Sequence, residues 1–417
     1  MNELLFDNMS IQGFSHKRIE KECQDSSLSF MGEGFGGILV CDGHGGDKYI
    51  RSAYGSKIAC EVGREKITEF MEHVSHSNKK LEENFVRLEN AIVSEWRSRM
   101  EAHYTAFPLC EDGRFSALEK SDQDALMKNP IKAYGSTFIA AVMTDEMTFV
   151  LKLGDGNALL FYEDGTVEMP SELEDEELQF NVTTSLCNSD AAMCFHHCCR
   201  NYADGNRVAG ITLTSDGVIN CYPSENAYIS FMENIFFAYG EEPDTTKEEL
   251  LPVLDTLSEK GSGDDLSVSV LRIPMSEDEK MRMEEKQKRE EEERIRRKEE
   301  REKAEREVLL RKQEEAARAA EETVKVTEEA NAKNPFALEI PADDAIGEET
   351  PLSDVAMPET PTETPADDMT PVEVLDVQTE VIEIEPQPLD VVDIDKQLTD
   401  SVERPVSDVD QQEENHD

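Results

Sequence analysis

The stretch GGILVCDGHGG, Gly36 to Gly46, decides how the rest of the chain is read. An apolar run stops abruptly at Asp42, Gly43 and His44. An aspartate at the end of a buried strand, followed by glycine, suits a tight turn. The ending recurs in VLKLGDG, which supplies Asp155, and in ITLTSDG, which supplies Asp216. GSGDD places Asp264 and Asp265 just before the run LSVSVLRI, and CQDSSLSF places Asp25 before the first run. Any one of these is an ordinary turn. Five such sites along strands of one sheet edge would make several carboxylates converge. Like charges cannot crowd together uncompensated, so each needs a proton or a cation. Hard oxygen ligands suit Mg²⁺ or Mn²⁺, and glycine lets a main-chain carbonyl approach the ion as well. That is the layout of a two-metal hydrolase, in which a bridging water becomes the nucleophile.

The same texture extends to about Pro274. STFIAAVM, MTFVLKLGD, NALLFYEDG and AGITLTSDG read as further strands. In NKKLEENFVRLENAIVSEWRSRM, Leu81, Phe85, Leu88, Ile92 and Trp96 recur at helical spacing and leave one apolar stripe to pack on a sheet. Residues 1–275 therefore read as a single α+β domain.

At Ser276 the texture changes. SEDE offers a capping box, with Ser276 as N-cap and Glu279 reaching back to it. Residues 276–333 are almost all Glu, Lys, Arg, Gln and Ala. Pairs such as Glu284–Lys288, Glu285–Arg289, Glu290–Arg294 and Glu293–Arg297 stand in the favourable order. Apolar residues are too sparse for a sustained seam, since Ile295 stands almost alone before Val308. A solvated single helix is the better reading, and a weak coiled coil is the alternative. Residues 334–417 are acidic, Pro- and Thr-rich and poor in aromatics, a composition that reads as disordered. Thr350, Thr360, Thr364 and Thr370 each precede a proline. They read as part of a solvating tail or, more sharply, as phosphorylation sites for a cognate Ser/Thr kinase or a phosphothreonine reader.

Composition sets limits on partners. With 92 acidic against 42 basic residues the net charge is −50, which repels nucleic acid. No apolar run approaches the roughly 20 residues that span a bilayer, so no membrane is expected. MNELLFDNMS lacks the basic and apolar regions of a signal peptide, and the nine cysteines show no framework. A cytoplasmic chain with free thiols is the expectation.

The ordered motifs resemble the metal-dependent protein phosphatases of type 2C. DGHGG at 42–46, YGSTFIAAV at 134–142, LGDGNALL at 153–160, TSDGV at 214–218 and SGDDLSVSV at 262–270 follow that family's order. The opening GFSHKRIEKECQD is similar to a mostly bacterial branch with Ser-His upstream and Cys-Gln-Asp at the acidic site. The resemblance implies a four-layer α-β-β-α sandwich with two mainly antiparallel sheets. It implies a protein serine/threonine phosphatase that hydrolyses phosphomonoesters of phosphoserine or phosphothreonine proteins. The nucleophile would be a hydroxide bridging two Mn²⁺ or Mg²⁺ ions. In that scheme Asp42 bridges both ions and the Gly43 carbonyl binds one of them. Asp216 and Asp264 hold the other, and Asp25 supports the first directly or through water. Asp155 resembles the ligand of a third, weaker ion. His44 would protonate the leaving alkoxide, with a hydrogen-bonding role as its alternative, and Asp265 would support its neighbour in place of a frequent Asn.

Two departures stand out. Where better-known members carry a phosphate-gripping arginine, this chain has Glu20, which shifts that contact toward His16 or Arg18. Asn157 stands where many members carry arginine or another acid. These departures, with the acidic appendage, leave a second function class: a phosphatase-fold binding module of weak or no activity, whose helix and tail recruit partners.

AMCFHHCCR, Ala192 to Arg200, invites zinc or cysteine-nucleophile readings. Its ligands cluster in one run, and it lacks the glycine that a phosphate-wrapping loop needs. The favoured reading is a structural helix capped by Asn188 or Ser189, with Ala192, Phe195 and Cys199 on one face.

Overall fold

The computed structural model describes residues 4–73, 81–174, 183–241 and 243–332. The tail from 334, with its four Thr-Pro positions, lies outside the described residues. The chain divides into a compact unit, whose described part runs from residue 4 to 286, and a second unit that begins at Gln287.

The described strands are β1 (Leu5–Ile11), β2 (Ser26–Gly32), β3 (Phe35–Cys41), β4 (Phe138–Thr144), β5 (Met147–Leu153), β6 (Asn157–Tyr162), β7 (Val167–Glu168), β8 (His196–Asn201), β9 (Val208–Thr214) and β10 (Leu266–Arg272). They form two sheets, ordered β1-β10-β9-β6-β7 and β2-β3-β4-β5-β8, with antiparallel neighbours throughout. The described helices are α1 (Phe14–Arg18), α2 (Ser52–His73), α3 (Leu81–Ala106), α4 (Gly113–Ala117), α5 (Lys120–Lys128), α6 (Asp216–Ile219), α7 (Glu225–Glu241), α8 (Pro243–Lys260) and α9 (Glu277–Ala332).

β3 shows why the layers stack. Its side chains alternate, so Ile38 and Val40 join the core between the sheets, with Ile139, Ile211 and Leu213. Leu39 and Cys41 join the opposite core, against Ile58, Val62, Phe85 and Trp96 of α2 and α3. Phe85, Leu88, Ile92 and Trp96 are all buried, as their spacing predicts. Trp96 also satisfies its only polar atom, donating from Nε1 to the Gly55 carbonyl at 2.9 Å. On the other side of the sandwich, β9 and β10 carry Ala209, Val268 and Val270 onto Phe231, Ile235 and Leu254 of α7 and α8. The expected α-β-β-α sandwich of two antiparallel sheets is what forms.

Two local expectations are corrected. AMCFHHCCR is not a helix. Ala191–Met193 make a single 3-10 turn, and His196–Asn201 form β8, paired with β5 from Met147↔Asn201 to Lys152↔His196. The open edge of β5 recruits this segment, and tertiary pairing overrides weak local preference. Ala192, Phe195 and Cys199 do pack on one core, but from a turn and a strand. The zinc reading fails as well, because among the described residues the only cluster of potential metal-binding side chains lies elsewhere.

The second correction concerns the capping box. Ser276 caps α9, its hydroxyl accepting from the Glu279 N–H at 3.1 Å. The Glu279 carboxylate, however, accepts from Arg272 Nη2 at 2.8 Å. Arg272 is fully buried and also donates to the Phe236 and Ile273 carbonyls at 2.6 and 3.0 Å. A buried guanidinium attracts a carboxylate far more strongly than a helix-end N–H does. Met283 is buried too, and Lys286 pairs with Glu233 at 2.5 Å, so the start of α9 belongs to the compact unit. Within the second unit, α9 carries Glu293–Arg297 and Arg301–Glu305 pairs at 2.7 and 3.1 Å, and Ile295, Val308, Leu309 and Leu310 are exposed. No described helix is long and apolar enough to cross a membrane, and all nine cysteines are free thiols.

Candidate metal centre

The strand ends bring the aspartates together. Asp42 follows β3, Asp155 lies in the β5–β6 turn, and Asp216 opens α6 after β9. Each offers a carboxylate oxygen, and the three oxygens lie within 4.8 Å of one another. The backbone around Asp42 is tied down from both sides. Its N–H donates to Thr137 Oγ1 at 2.9 Å, its carbonyl accepts from the Thr137 N–H at 2.8 Å, and Gly43 bridges to Ser136. A Cβ on Gly43 would sit 2.5 Å from the Gln24 carbonyl and 2.8 Å from that of Ser52, so only glycine fits this crossing.

Asp25 precedes β2 and is only 7% exposed. Its Oδ2 is buried with no hydrogen-bond partner in the protein. Burial, and then the charge of Asp265, push its carboxyl up to about 7. Burial likewise raises Asp42 well above the usual carboxylate range, with Asp25, Asp216 and Asp155 adding their charges. Asp216 is pushed up to about 6 by burial and by Asp155. Three crowded, desolvated carboxylates and one orphaned buried oxygen are what a site for a hard divalent cation requires.

Not every expected ligand joins the group. Asp264 is exposed, and its Oδ1 accepts from the Asp265 N–H at 2.9 Å. Asp155, expected to serve a third, weaker ion, offers its oxygen beside those of Asp42 and Asp216. Its Oδ2 accepts from Thr183 Oγ1 at 2.7 Å. His44 packs its ring on Tyr49, with centroids 4.7 Å apart, and its N–H donates to the Gly135 carbonyl at 3.1 Å. Burial lowers its basicity, opposed by the charge of Asp155.

The residues expected to meet phosphate are placed differently. His16 is buried, with Nδ1 2.8 Å from Asp265 Oδ1, so its ring is already engaged. Arg18 is exposed at the end of α1. Lys21 is the cation that reaches the Asp-Gly-His-Gly-Gly loop, donating from Nζ to the Gly45 carbonyl at 2.6 Å. Glu20, at φ 55°, makes the left-handed turn that brings Lys21 back. Sequence reasoning missed two further residues, Gln24 and Thr137. Gln24 Nε2 donates to the His44 carbonyl at 3.1 Å and to Ser52 Oγ, and the Gln24 carbonyl accepts from Gly43 N–H at 3.1 Å. Their only signal was position: Gln24 beside Asp25, and Thr137 inside Tyr-Gly-Ser-Thr.

No curated protein matches the chain. Among solved structures, it is similar to the catalytic domain of the serine/threonine protein phosphatase PstP in complex with two manganese ions. That likeness has 16% identity and a TM-score of 0.40, and covers 64% of this chain and 97% of that one. It is also similar to the serine/threonine phosphatase Stp1 from Staphylococcus aureus, at 14% identity, TM-score 0.41, and coverage of 66% and 95%. A third likeness is to PppA, a regulatory component of a secretion system (T6SS) in Pseudomonas aeruginosa, at 14% identity, TM-score 0.42, and coverage of 64% and 97%. The family model described as protein phosphatase 2C matches residues 12–255, more than half of the chain. The chain belongs to the protein phosphatase 2C family.

Proposed function

We propose that this protein is a metal-dependent serine/threonine phosphatase acting on phosphoprotein monoesters. The observation that carries this reading is the convergence of Asp42, Asp155 and Asp216 within 4.8 Å, at a site where Asp25 leaves a buried oxygen unpaired. Asp25, Asp42, Asp155 and Asp216 would hold Mn²⁺ or Mg²⁺, with the Gly43 carbonyl beside them and Asp264 at the rim. Such ions, when bound, supply charge neutralisation and lower the pKa of water. The chain's own residues do the rest. Lys21, which reaches the Gly45 carbonyl, would meet substrate phosphate there in place of His16 or Arg18. His44 would donate the proton to the leaving serine or threonine oxygen. Its reduced basicity makes its protonated form a stronger acid. Tyr49 packs against its ring, and the Gly135 carbonyl anchors its backbone N–H.

The test is hydrolysis of a chromogenic phosphomonoester by the full chain, with Mn²⁺ or EDTA, alongside Asp42→Ala. Activity that needs the metal and disappears with Asp42 is expected. Lys21→Ala should raise KM with little change in kcat, as loss of a ground-state phosphate contact does. Wild type as inert as Asp42→Ala in both Mn²⁺ and Mg²⁺ would instead leave a binding module built on the phosphatase fold.

A further inference from the structure

Asp265 is only 3% exposed, yet it lies outside the central group of carboxylates. Both of its oxygens meet donors from the N-terminal segment. Oδ1 accepts from the Gly13 N–H at 2.6 Å and lies 2.8 Å from His16 Nδ1. Oδ2 accepts from the Gln24 N–H at 2.6 Å. A carboxylate only accepts, so His16 must carry its proton on Nδ1, whether the ring is neutral or charged. The surrounding backbone follows the same docking. Ser15 N–H donates to the Gly263 carbonyl at 2.9 Å. Phe14 N–H donates to Ser258 Oγ at 2.9 Å, and that hydroxyl donates to the Asp264 carbonyl at 2.9 Å. A Cβ on Gly13 would fall on the Asp264 carbonyl, so this close seating of Gly-Phe-Ser-His on Gly-Ser-Gly-Asp-Asp tolerates only glycine there.

Each neighbour of this hub leads to a proposed ligand. Asp264 directly precedes Asp265, and Asp25 directly follows Gln24. We infer that Asp265 and His16 are positioning residues of the metal centre: without touching an ion, they lock the loops that carry Asp25 and Asp264 into one spacing. An amide at 265 could not do the same. Asn has one accepting oxygen, and whichever way it turned, its NH₂ would face either the Gln24 N–H or those of Gly13 and His16. The Asp is therefore specified by the three donors it meets, and His16 is specified by the Asp.

This inference rests on the metal-centre reading, and the experiment separates the two. Mn²⁺ binding to the full chain is measured by calorimetry, with Asp42→Ala as the blank for metal held by the acidic surface. Asp265→Asn should raise the Mn²⁺ dissociation constant about 10–100-fold while the chain stays folded by circular dichroism. His16→Ala should raise it less, and adding His16→Ala to Asp265→Asn should do little more, because both act through one hub. Lys17→Ala, on the same short helix but paired with Asp255 at 2.7 Å, should leave the constant unchanged. An Asp265→Asn chain that is folded and binds Mn²⁺ within twofold of the parent sinks the inference. So does a Lys17→Ala chain that loses as much affinity as His16→Ala. If Asp265→Asn fails to fold, His16→Ala against Lys17→Ala decides alone. A parent that binds no more Mn²⁺ than the blank overturns the metal reading itself, and this inference with it.

Discussion

β10 has buried charge at both of its ends, handled in opposite ways. At its final residue, Arg272 is completely enclosed, and its guanidinium meets the Glu279 carboxylate and two main-chain carbonyls. Just before its start, the Asp264–Asp265 turn joins a site where burial and neighbouring carboxylates raise the proton affinity of Asp25, Asp42 and Asp216. The first cluster is neutralised from within the protein. The second contains more negative charge than the protein itself compensates, and so calls for protons or cations from outside. Burial alone therefore does not mark a functional charge; incomplete compensation does.

Breaking the closed end should have the largest effect on stability. Glu279→Ala leaves Arg272 buried without its carboxylate and should cost about 3–5 kcal/mol in chemical denaturation. A loss below about 1 kcal/mol would mean the two carbonyls suffice. The open end should respond in the opposite sense. Asp25→Asn in metal-free protein at pH 7.5 should increase stability, by about 1–3 kcal/mol, since it removes a carboxylate that burial disfavours. The same variant should bind Mn²⁺ more weakly, so stability and metal affinity move apart.

The pH dependence sharpens the contrast. Asp25 and Asp216 titrate at about 7 and about 6 when folded, both raised above their ordinary value. The folded state therefore holds protons that the unfolded state releases. The stability from these two groups is fully present below about pH 4 and is lost as pH rises toward about 7. In EDTA, the melting temperature should fall by several degrees between pH 5 and pH 7.5, and saturating Mn²⁺ should abolish that fall. A flat profile in EDTA would mean the carboxylates are compensated after all. Glu293→Gln, on the exposed part of α9, sets the baseline. It should change stability by only about 0.2–0.5 kcal/mol, an effect that 1 M salt removes.

Much of the site was legible because it lies where strand periodicity ends. Asp42, Asp155 and Asp216 each close an apolar run, and a run of that kind predicts its own terminus. β1, β2 and β8 were harder. Ser26–Gly32 is rich in serine because it faces a polar seam, where Ser10 Oγ meets Ser27 Oγ at 2.9 Å and Ser267 Oγ at 2.6 Å. His196–Asn201 has no β-branched residue and becomes a strand only because β5 offers it an edge. The partners of Glu279, His16 and Lys21 were illegible for another reason. Glu279 meets Arg272 across the turn from β10 to α9, His16 meets Asp265 from the far end of the unit, and Lys21 reaches Gly45 through the left-handed turn at Glu20; no local pattern encodes these meetings.

The strand order also dictates when the molecule can finish folding. β1 pairs with β10 from Leu5↔Arg272 to Ile11↔Leu266, so the earliest strand of the unit waits for the latest. On the ribosome, at roughly 5–20 residues per second, that wait is about 10–50 s. During it, β9 lacks β10, the neighbour that joins it to β1, and the turn carrying Asp264 and Asp265 does not yet exist. The sheet β2-β3-β4-β5-β8 is complete in sequence before β9 begins, so it can assemble first. A nascent chain stopped before Leu266 would expose two unpaired strand edges, which marks this interval as the one in which the protein most needs protection from aggregation.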